Sequence, residues 1–213
     1  MHMSVGIDEA GRGCVIGPMV VAVVAADDSD RKWFWKNNVR DSKIVPPKER
    51  DALAQQIKER CWFELRVVHP PEIDAAVFDR SVNLNGLELK LMAELLREFK
   101  DEHPDHDARA LIDAPSINAQ GFLEKLFDAS GWDNMETIFA KHHADETDRT
   151  VGAASIIAKF ERERFIGLLK KELGTDFGCG YSHDDVTREF LRTVPEAAPF
   201  VRWSWATAKT LTA

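Results

Sequence analysis

The chain has 213 residues, 44% of them apolar and 30% charged, and a formal net charge of −8. That length supports one sizeable core, giving one domain with room for a small appendage, and the acidic balance excludes capture of a polyanion by global charge alone. Cys14, Cys61 and Cys179 are scattered without CxxC spacing. They suggest neither a disulfide framework nor a thiolate zinc site, and a reduced, cytoplasmic protein with no disulfide partner is expected. The apolar run MVVAVVAA (19–26) is far short of the roughly 20 residues that cross a bilayer, and MHMSVG at the start lacks the zones of a secretory signal, so no membrane partner is expected.

Taken in chain order, residues 5–8 and 19–26 read as β-branched strands joined by a glycine turn. The segment 33–35, WFW, alternates like an ordinary strand. PPKERDALAQQIKERC (46–61) opens on proline and has helical spacing at Leu53, Ile57 and Cys61. WFELRVV (62–68) reads as a strand. NGLELKLMAELLREFK (85–100) is the clearest amphipathic helix, with Leu87, Leu91, Leu95 and Phe99 on one face. A polar loop (101–107) leads to the strand RALID (109–113), the helix NAQGFLEKLF (118–127) and the strand METIFA (135–140). A long helix covers roughly 150–172, the glycine-rich DFGCGYS (176–182) breaks it, and two shorter helices finish the chain. Strands alternating with helices imply an α/β fold, and the short first connection implies an antiparallel pair, hence a mixed sheet.

The acids follow these strands. VGID ends in Asp8, with Glu9 beside it; ALID ends in Asp113; TIFAKHHAD runs on to Asp145. Strand carboxyl ends line the ligand crevice of open α/β sheets, so the pattern gathers four carboxylates in one place. Two carboxylates about 4 Å apart repel by roughly 4 kcal/mol at an effective dielectric near 20, so four need protons or cations between them. Oxygen ligands without cysteine favour Mg²⁺ or Mn²⁺. His142 and His143 are adjacent, which is no metal-ligand spacing, and read as supporting or solvent-facing groups.

GRGCVIG (11–17) places its third glycine one position too late for a dinucleotide fingerprint and has no phosphate-loop lysine. What remains is a turn whose amides and Arg12 can approach an anion, because Gly11 and Gly13 have no side chains in the way. The charge is also uneven: residues 1–156 hold 19 basic and 28 acidic side chains, and residues 157–213 hold 9 and 8. A bound polyanion therefore needs a local basic surface or bound metal.

GIDEAGRG (6–13), DSK (41–43), LIDAPS (111–116), AD (144–145) before VGAASIIAK (151–159), and DFGCGY (176–181) occur in that order, and the chain resembles the ribonuclease HII family, most closely its archaeal branch. The resemblance runs from about residue 4 to SWATAKTL (204–211). It implies a ribonuclease-H-like mixed sheet flanked by helices over residues 1–175, and a helical extension over 176–213 that completes the substrate groove. It implies a metal-dependent endonuclease that hydrolyses RNA in RNA–DNA hybrids and incises 5′ to single ribonucleotides embedded in duplex DNA, leaving a 3′-hydroxyl and a 5′-phosphate. Two divalent ions, Mg²⁺ or Mn²⁺, would be held by Asp8, Glu9, Asp113 and Asp145. Gly11, Arg12 and Gly13 fall on the turn that senses the ribose 2′-hydroxyl, Tyr181 on the tyrosine that stacks on the junction sugar, and Lys43 on a lysine that holds backbone phosphate. ETDRT (146–150) departs from a stretch that commonly has an aromatic and a proline, GYSHDD (180–185) lacks the usual proline after tyrosine, and the segment around 193–200 is compact. No clear clamp-binding motif stands at the C-terminus, so a sliding-clamp partner is left unassigned.

Lys159, on the long helix, reads as a solvated lysine, with contact to a backbone phosphate as the competing role. Ala153, Ala154 and Ser155 are the small residues that let this helix approach the sheet, and the tryptophans read as structural, with Trp203 and Trp205 docking the C-terminus. Two other readings compete: a nuclease of the same fold acting on DNA junctions, and a non-catalytic hybrid-binding module.

Overall fold

The computed structural model describes residues 2–79, 81–195 and 197–211. Met1 and residues 212–213, at the ends of the two expected regions, and Glu196 within the segment 193–200 lie outside them. Five strands form one sheet, β1 (His2–Ala10), β2 (Met19–Ala26), β3 (Trp62–Val68), β4 (Asp107–Asp113) and β5 (Ile138–Lys141), in the order β3-β2-β1-β4-β5. The sheet is mixed. β1 pairs with β4, and β4 with β5, in parallel. All eight residues of β2 are buried, which explains its unbroken apolar run.

Nine helices accompany the sheet in the described residues: α1 (Asp28–Lys36), α2 (Pro47–Arg60), α3 (Pro70–Phe78), α4 (Asn83–Glu102), α5 (Ala119–Ser130), α6 (Ala144–Thr147), α7 (Arg149–Leu173), α8 (Asp185–Leu191) and α9 (Ala206–Leu211). Two readings of the sequence are corrected. WFW belongs to helix α1, because the carboxylate of Asp27 accepts from the amides of Ser29 and Asp30 and caps a helix whose first turn is acidic. The expected strand 135–140 begins only at Ile138, since Asn134 caps a 3₁₀ turn over Met135–Thr137. Helix α3 was not anticipated; its two prolines open it at positions where the missing N–H costs nothing.

The chain divides into two compact units. The first comprises Met1–Glu9, Val21–Arg66 and Glu88–Phe160. It holds most of the sheet, the buried Leu91, Leu95 and Phe99 of α4, and the first half of α7. Here the helix comes so close to β1 that a Cβ on Gly6 would lie 2.4 Å from the carbonyl carbon of Thr150, so only glycine fits. The second comprises Ala10–Val20, Val67–Leu87 and Glu161–Ala213. Its core gathers Val15, Ile16, Ile166, Phe177, Leu191 and Val201, with Trp203 and Trp205 packed against it. Asp74 accepts from the amides of Trp203 and Ser204 and so holds the C-terminal segment down. The three cysteines are unbridged, and among the described residues no helix is long and apolar enough to cross a membrane.

Candidate active site

The repeated dipeptide Ile-Asp explains how two distant acids meet. In the parallel β1–β4 pair Ile7 stands beside Ile112, so the next residue of each strand, Asp8 and Asp113, ends level with the other. Glu9 follows directly, and carboxylate oxygens of Asp8, Glu9 and Asp113 lie within 4.8 Å of one another. Asp145 sits on the short α6 that follows β5, 2% exposed. The amide of Ala144 donates to Asp113 Oδ1 at 2.8 Å, which ties α6 to the end of β4. Lys43 Nζ stands 3.8 Å from Asp145 Oδ2.

Electrostatics record the crowding. Burial pushes the Asp8 carboxyl well above its ordinary range, the charges of Glu9, Asp113 and Asp145 push it further, and a hydrogen bond from Ser155 opposes them. Asp113 is raised by burial, against the Ala144 amide and the positive charge of Lys43. Asp145 is pushed up to about 6 by burial, then by the charges of Asp41 and Asp113, with a hydrogen bond between the Asp41 and Asp145 side chains adding to the shift. Burial works against the Lys43 ammonium, but Asp41, Asp145, Asp8 and Asp113 outweigh it and raise its pKa.

The arrangement fits a divalent cation. Three carboxylates offer oxygens at mutual distances one ion can span, no cysteine competes, and Asp145 Oδ2 is buried without accepting a hydrogen bond. An acceptor left in that state costs about 1–3 kcal/mol, which a metal ion would recover. The two histidines are engaged elsewhere: the ring nitrogens of His142 face the carbonyls of Ala114 and Ile117 at 3.2 and 3.3 Å, and His143 pairs with Glu146 at 3.1 Å.

Gly11, Arg12, Gly13 and Tyr181 belong to the second compact unit. Gly11 has φ +83°, and a Cβ there would lie 2.4 Å from Arg162 Nε, so the turn requires glycine on two counts. A Cβ on Gly13 would meet nothing within 4 Å, so the folded chain itself does not demand glycine at that position. Arg12 Nη2 donates to Asn85 Oδ1 at 2.7 Å. Tyr181 forms an antiparallel bridge with Cys14, and the amides of Val15 and Ile16 both donate to the Gly180 carbonyl. Glycine turn and tyrosine are thus stitched together by backbone.

Four residues around these groups were not singled out as site residues from the sequence, or were read differently. Asp41, next to Lys43, is a fifth acid in contact with Asp145. Ser155 hydrogen-bonds Ser42 Oγ at 2.9 Å as well as Asp8, so its hydroxyl positions an acid in addition to keeping α7 slim. Arg162 is fully buried, lies over the Tyr181 ring at 5.1 Å and donates to the Cys179 carbonyl. Arg202, also fully buried, donates to the carbonyls of Gly11, Arg12 and Gly17 at 2.7–3.1 Å. Burial and then the charge of Arg162 lower its pKa to about 10, which leaves it charged at neutral pH. A surface arginine and a buried one look alike in a sequence, and nothing local marks Arg162 or Arg202 as buried.

The sequence model of the family described as Ribonuclease HII matches residues 5–208. A Ribonuclease HII of Archaeoglobus fulgidus is 38% identical, the match covering 98% of this chain and 96% of that protein. One from Pyrobaculum aerophilum is 40% identical over 95% of this chain and 88% of its own. Among solved structures, that of the PCNA:RNase HII complex from Archaeoglobus fulgidus has a TM-score of 0.84 at 36% identity, covering 99% of this chain and 97% of that chain.

Proposed function

The chain belongs to the ribonuclease HII family, whose members are divalent-metal-dependent ribonuclease H endonucleases, and from that premise we propose that it hydrolyses the RNA of RNA–DNA hybrids and incises 5′ to a single ribonucleotide in duplex DNA. The products are a 3′-hydroxyl and a 5′-phosphate. The convergence of the Asp8, Glu9 and Asp113 carboxylates at the strand ends is the observation that supports this reading most directly.

Asp8, Glu9, Asp113 and Asp145 would hold two divalent ions, Mg²⁺ or Mn²⁺. Such a pair, when bound, supplies an activated water, charge neutralisation on phosphorus and stabilisation of the leaving 3′-oxygen. The protein's part is to keep the ligands ionised and aimed. Ser155 donates to Asp8 and favours its charged form, while the Ala144 amide does the same for Asp113. Lys43, its side chain exposed at the edge of the acids, offers its ammonium to a backbone phosphate.

Recognition is assigned to the second unit. Arg202 commits the carbonyls of Gly11, Arg12 and Gly17 inward, and the open space over Gly13 admits a sugar edge to the backbone, where a 2′-hydroxyl can be read. Tyr181, its ring backed by Arg162, supplies a flat apolar face for the junction sugar. The helical extension 176–213 contributes to holding the nucleic acid, and the protein works in the cytoplasm. Because the Archaeoglobus fulgidus relative assembles with PCNA, a sliding clamp is a candidate partner here as well.

The test is a duplex with one embedded ribonucleotide, incubated with and without Mn²⁺ and mapped at nucleotide resolution. Metal-dependent incision at the 5′ side of the ribonucleotide is expected. Cleavage of an all-DNA branched substrate in its place would reassign the activity to a junction nuclease.

A further inference from the structure

The first unit has a surface that the proposed chemistry does not use. His2 and Ser4 of β1, Arg109 and Leu111 of β4, and Phe139 and Lys141 of β5 alternate along paired strands, with Ser4 beside Arg109 and Leu111 beside Phe139, and therefore share one face of the sheet. They line a cavity of about 370 Å³ together with Arg31 and Thr147–Asp148. Arg31, Thr147 and Asp148 also line an adjoining cavity of about 400 Å³ with Lys32, Trp35 and Arg149, so the two form one trough. Arg109 stands four positions before Asp113, about 13 Å along the strand. Lys141 stands beside Asp113 in the β4–β5 register, so the trough runs from Trp35 up to the edge of the acid cluster.

Two properties distinguish the trough. The first is charge. This unit is rich in acids, and several of its surface cations pair with them, Arg66 with Glu94 and Glu98, Lys90 with Glu94, Lys100 with Asp133, although exposed Lys36, Lys48 and Lys125 do not. Among the described residues Lys32, Arg109 and Lys141 have no carboxylate partner. The acids nearby are engaged, Asp107 with His2, Asp28 with Arg31, and Asp148 with the amides of Thr150 and Val151 that begin α7. The second is aromatic surface. Trp35 is 71% exposed, a large apolar area for a protein to leave in water, and Arg149 lies over its ring at 4.6 Å; Arg109 lies over Phe139 at 4.4 Å. Flat rings beside unpaired cations are what a single-stranded polynucleotide requires: stacking surfaces for bases and charges for phosphates.

We propose that this trough is a second nucleic-acid site, which binds single-stranded DNA or RNA through stacking on Trp35 and phosphate contacts to Lys32, Arg109 and Lys141. It would hold a strand overhang or a displaced strand while the acid cluster engages a duplex. An acidic protein segment fits the charges but makes no use of the exposed Trp35 ring.

The full chain, in EDTA so that no turnover occurs, is titrated into fluorescein-labelled (dT)20 and read by anisotropy between 50 and 200 mM salt. Wild type binds, with affinity falling as salt rises. Lys32→Glu combined with Arg109→Glu weakens binding at least tenfold and flattens the log–log salt slope by about 1.4. Trp35→Ala weakens it about fivefold to a hundredfold with the slope unchanged. Both variants cleave a blunt duplex with one embedded ribonucleotide within about twofold of wild type in Mn²⁺, which also reports that they fold. Absence of (dT)20 binding by wild type, unchanged affinity in the variants, or equally tight and equally sensitive binding of poly-glutamate would each overturn the assignment. If (dT)20 behaves as stated and the blunt duplex is not cut by wild type, the proposed function fails and the second site stands.

Discussion

Asp8 and Arg202 are both buried charges, and the protein treats them in opposite ways. Around Asp8 the fold gathers like charges, Glu9, Asp113 and Asp145, and leaves Asp145 Oδ2 without a hydrogen bond. Around Arg202 it gathers acceptors, three backbone carbonyls at 2.7–3.1 Å. The first region is folded at the expense of its own electrostatics, the mark of a place where something else supplies charge. The second is satisfied internally and fixes the shape of a turn. The contrast teaches that chemistry and recognition here rest on different physics: one region is unfinished without cations, while the other is a rigid surface without them.

The sharpest way to break the comparison is to remove one acid. Asp113→Asn takes away a ligand and a charge, and metal ions contribute several kcal/mol of transition-state stabilisation, so turnover falls by about a thousandfold or more while hybrid binding is retained. Single-turnover cleavage beside filter binding measures both; unimpaired turnover removes Asp113 from the ligand set. In the satisfied region the effect should fall on stability instead. Arg202→Met strands the Gly11, Arg12 and Gly17 carbonyls and costs roughly 3 kcal/mol or more in urea unfolding, and Arg202→Lys recovers only part because an ammonium lacks the planar fork.

Tyr181→Ala tests the recognition half alone. Loss of a stacking face lowers cleavage at an embedded ribonucleotide by about tenfold to a hundredfold, with general duplex affinity changed far less. Equal losses in both measurements would contradict a junction-reading role.

The smallest effect is one of sign. Asp145, pushed up to about 6, and Asp8, raised well above its ordinary range, have folded-state pKa values above their unfolded ones, so the folded protein holds more protons between those values. Their contribution to stability is therefore present at low pH and lost as pH rises through the folded values. Metal-free protein should melt at a lower temperature at pH 7.5 than at pH 5.5, and Mn²⁺ should remove that difference by binding the ionised acids. A melting temperature that rises with pH in EDTA would mean that the acids are not mutually strained.

Much of this was legible in the sequence because it is periodic or punctuated. The twin Ile-Asp dipeptides, the apolar face of α4 and the long α7 each announce themselves, and so strand order brings Asp8, Glu9 and Asp113 together, while Asp145 lies beyond β5 on α6 and is proposed as a ligand through the family resemblance. Other features depend on partners far along the chain. WFW was misread because its alternation hides the capping aspartate at position 27. Ser155 reads as a small packing residue until Asp8 is beside it, and Arg162 and Arg202 become recognisable only when the glycine turns that surround them are folded. The close approach of α7 at Gly6 is likewise a tertiary fact, since nothing local demands glycine there.

The most direct test of the central claim is anomalous scattering from a crystal soaked in Mn²⁺. The account predicts two peaks about 3.5–4 Å apart, both within coordinating distance of carboxylate oxygens from Asp8, Glu9, Asp113 and Asp145. Peaks elsewhere on the molecule, with these four side chains unliganded, would contradict it.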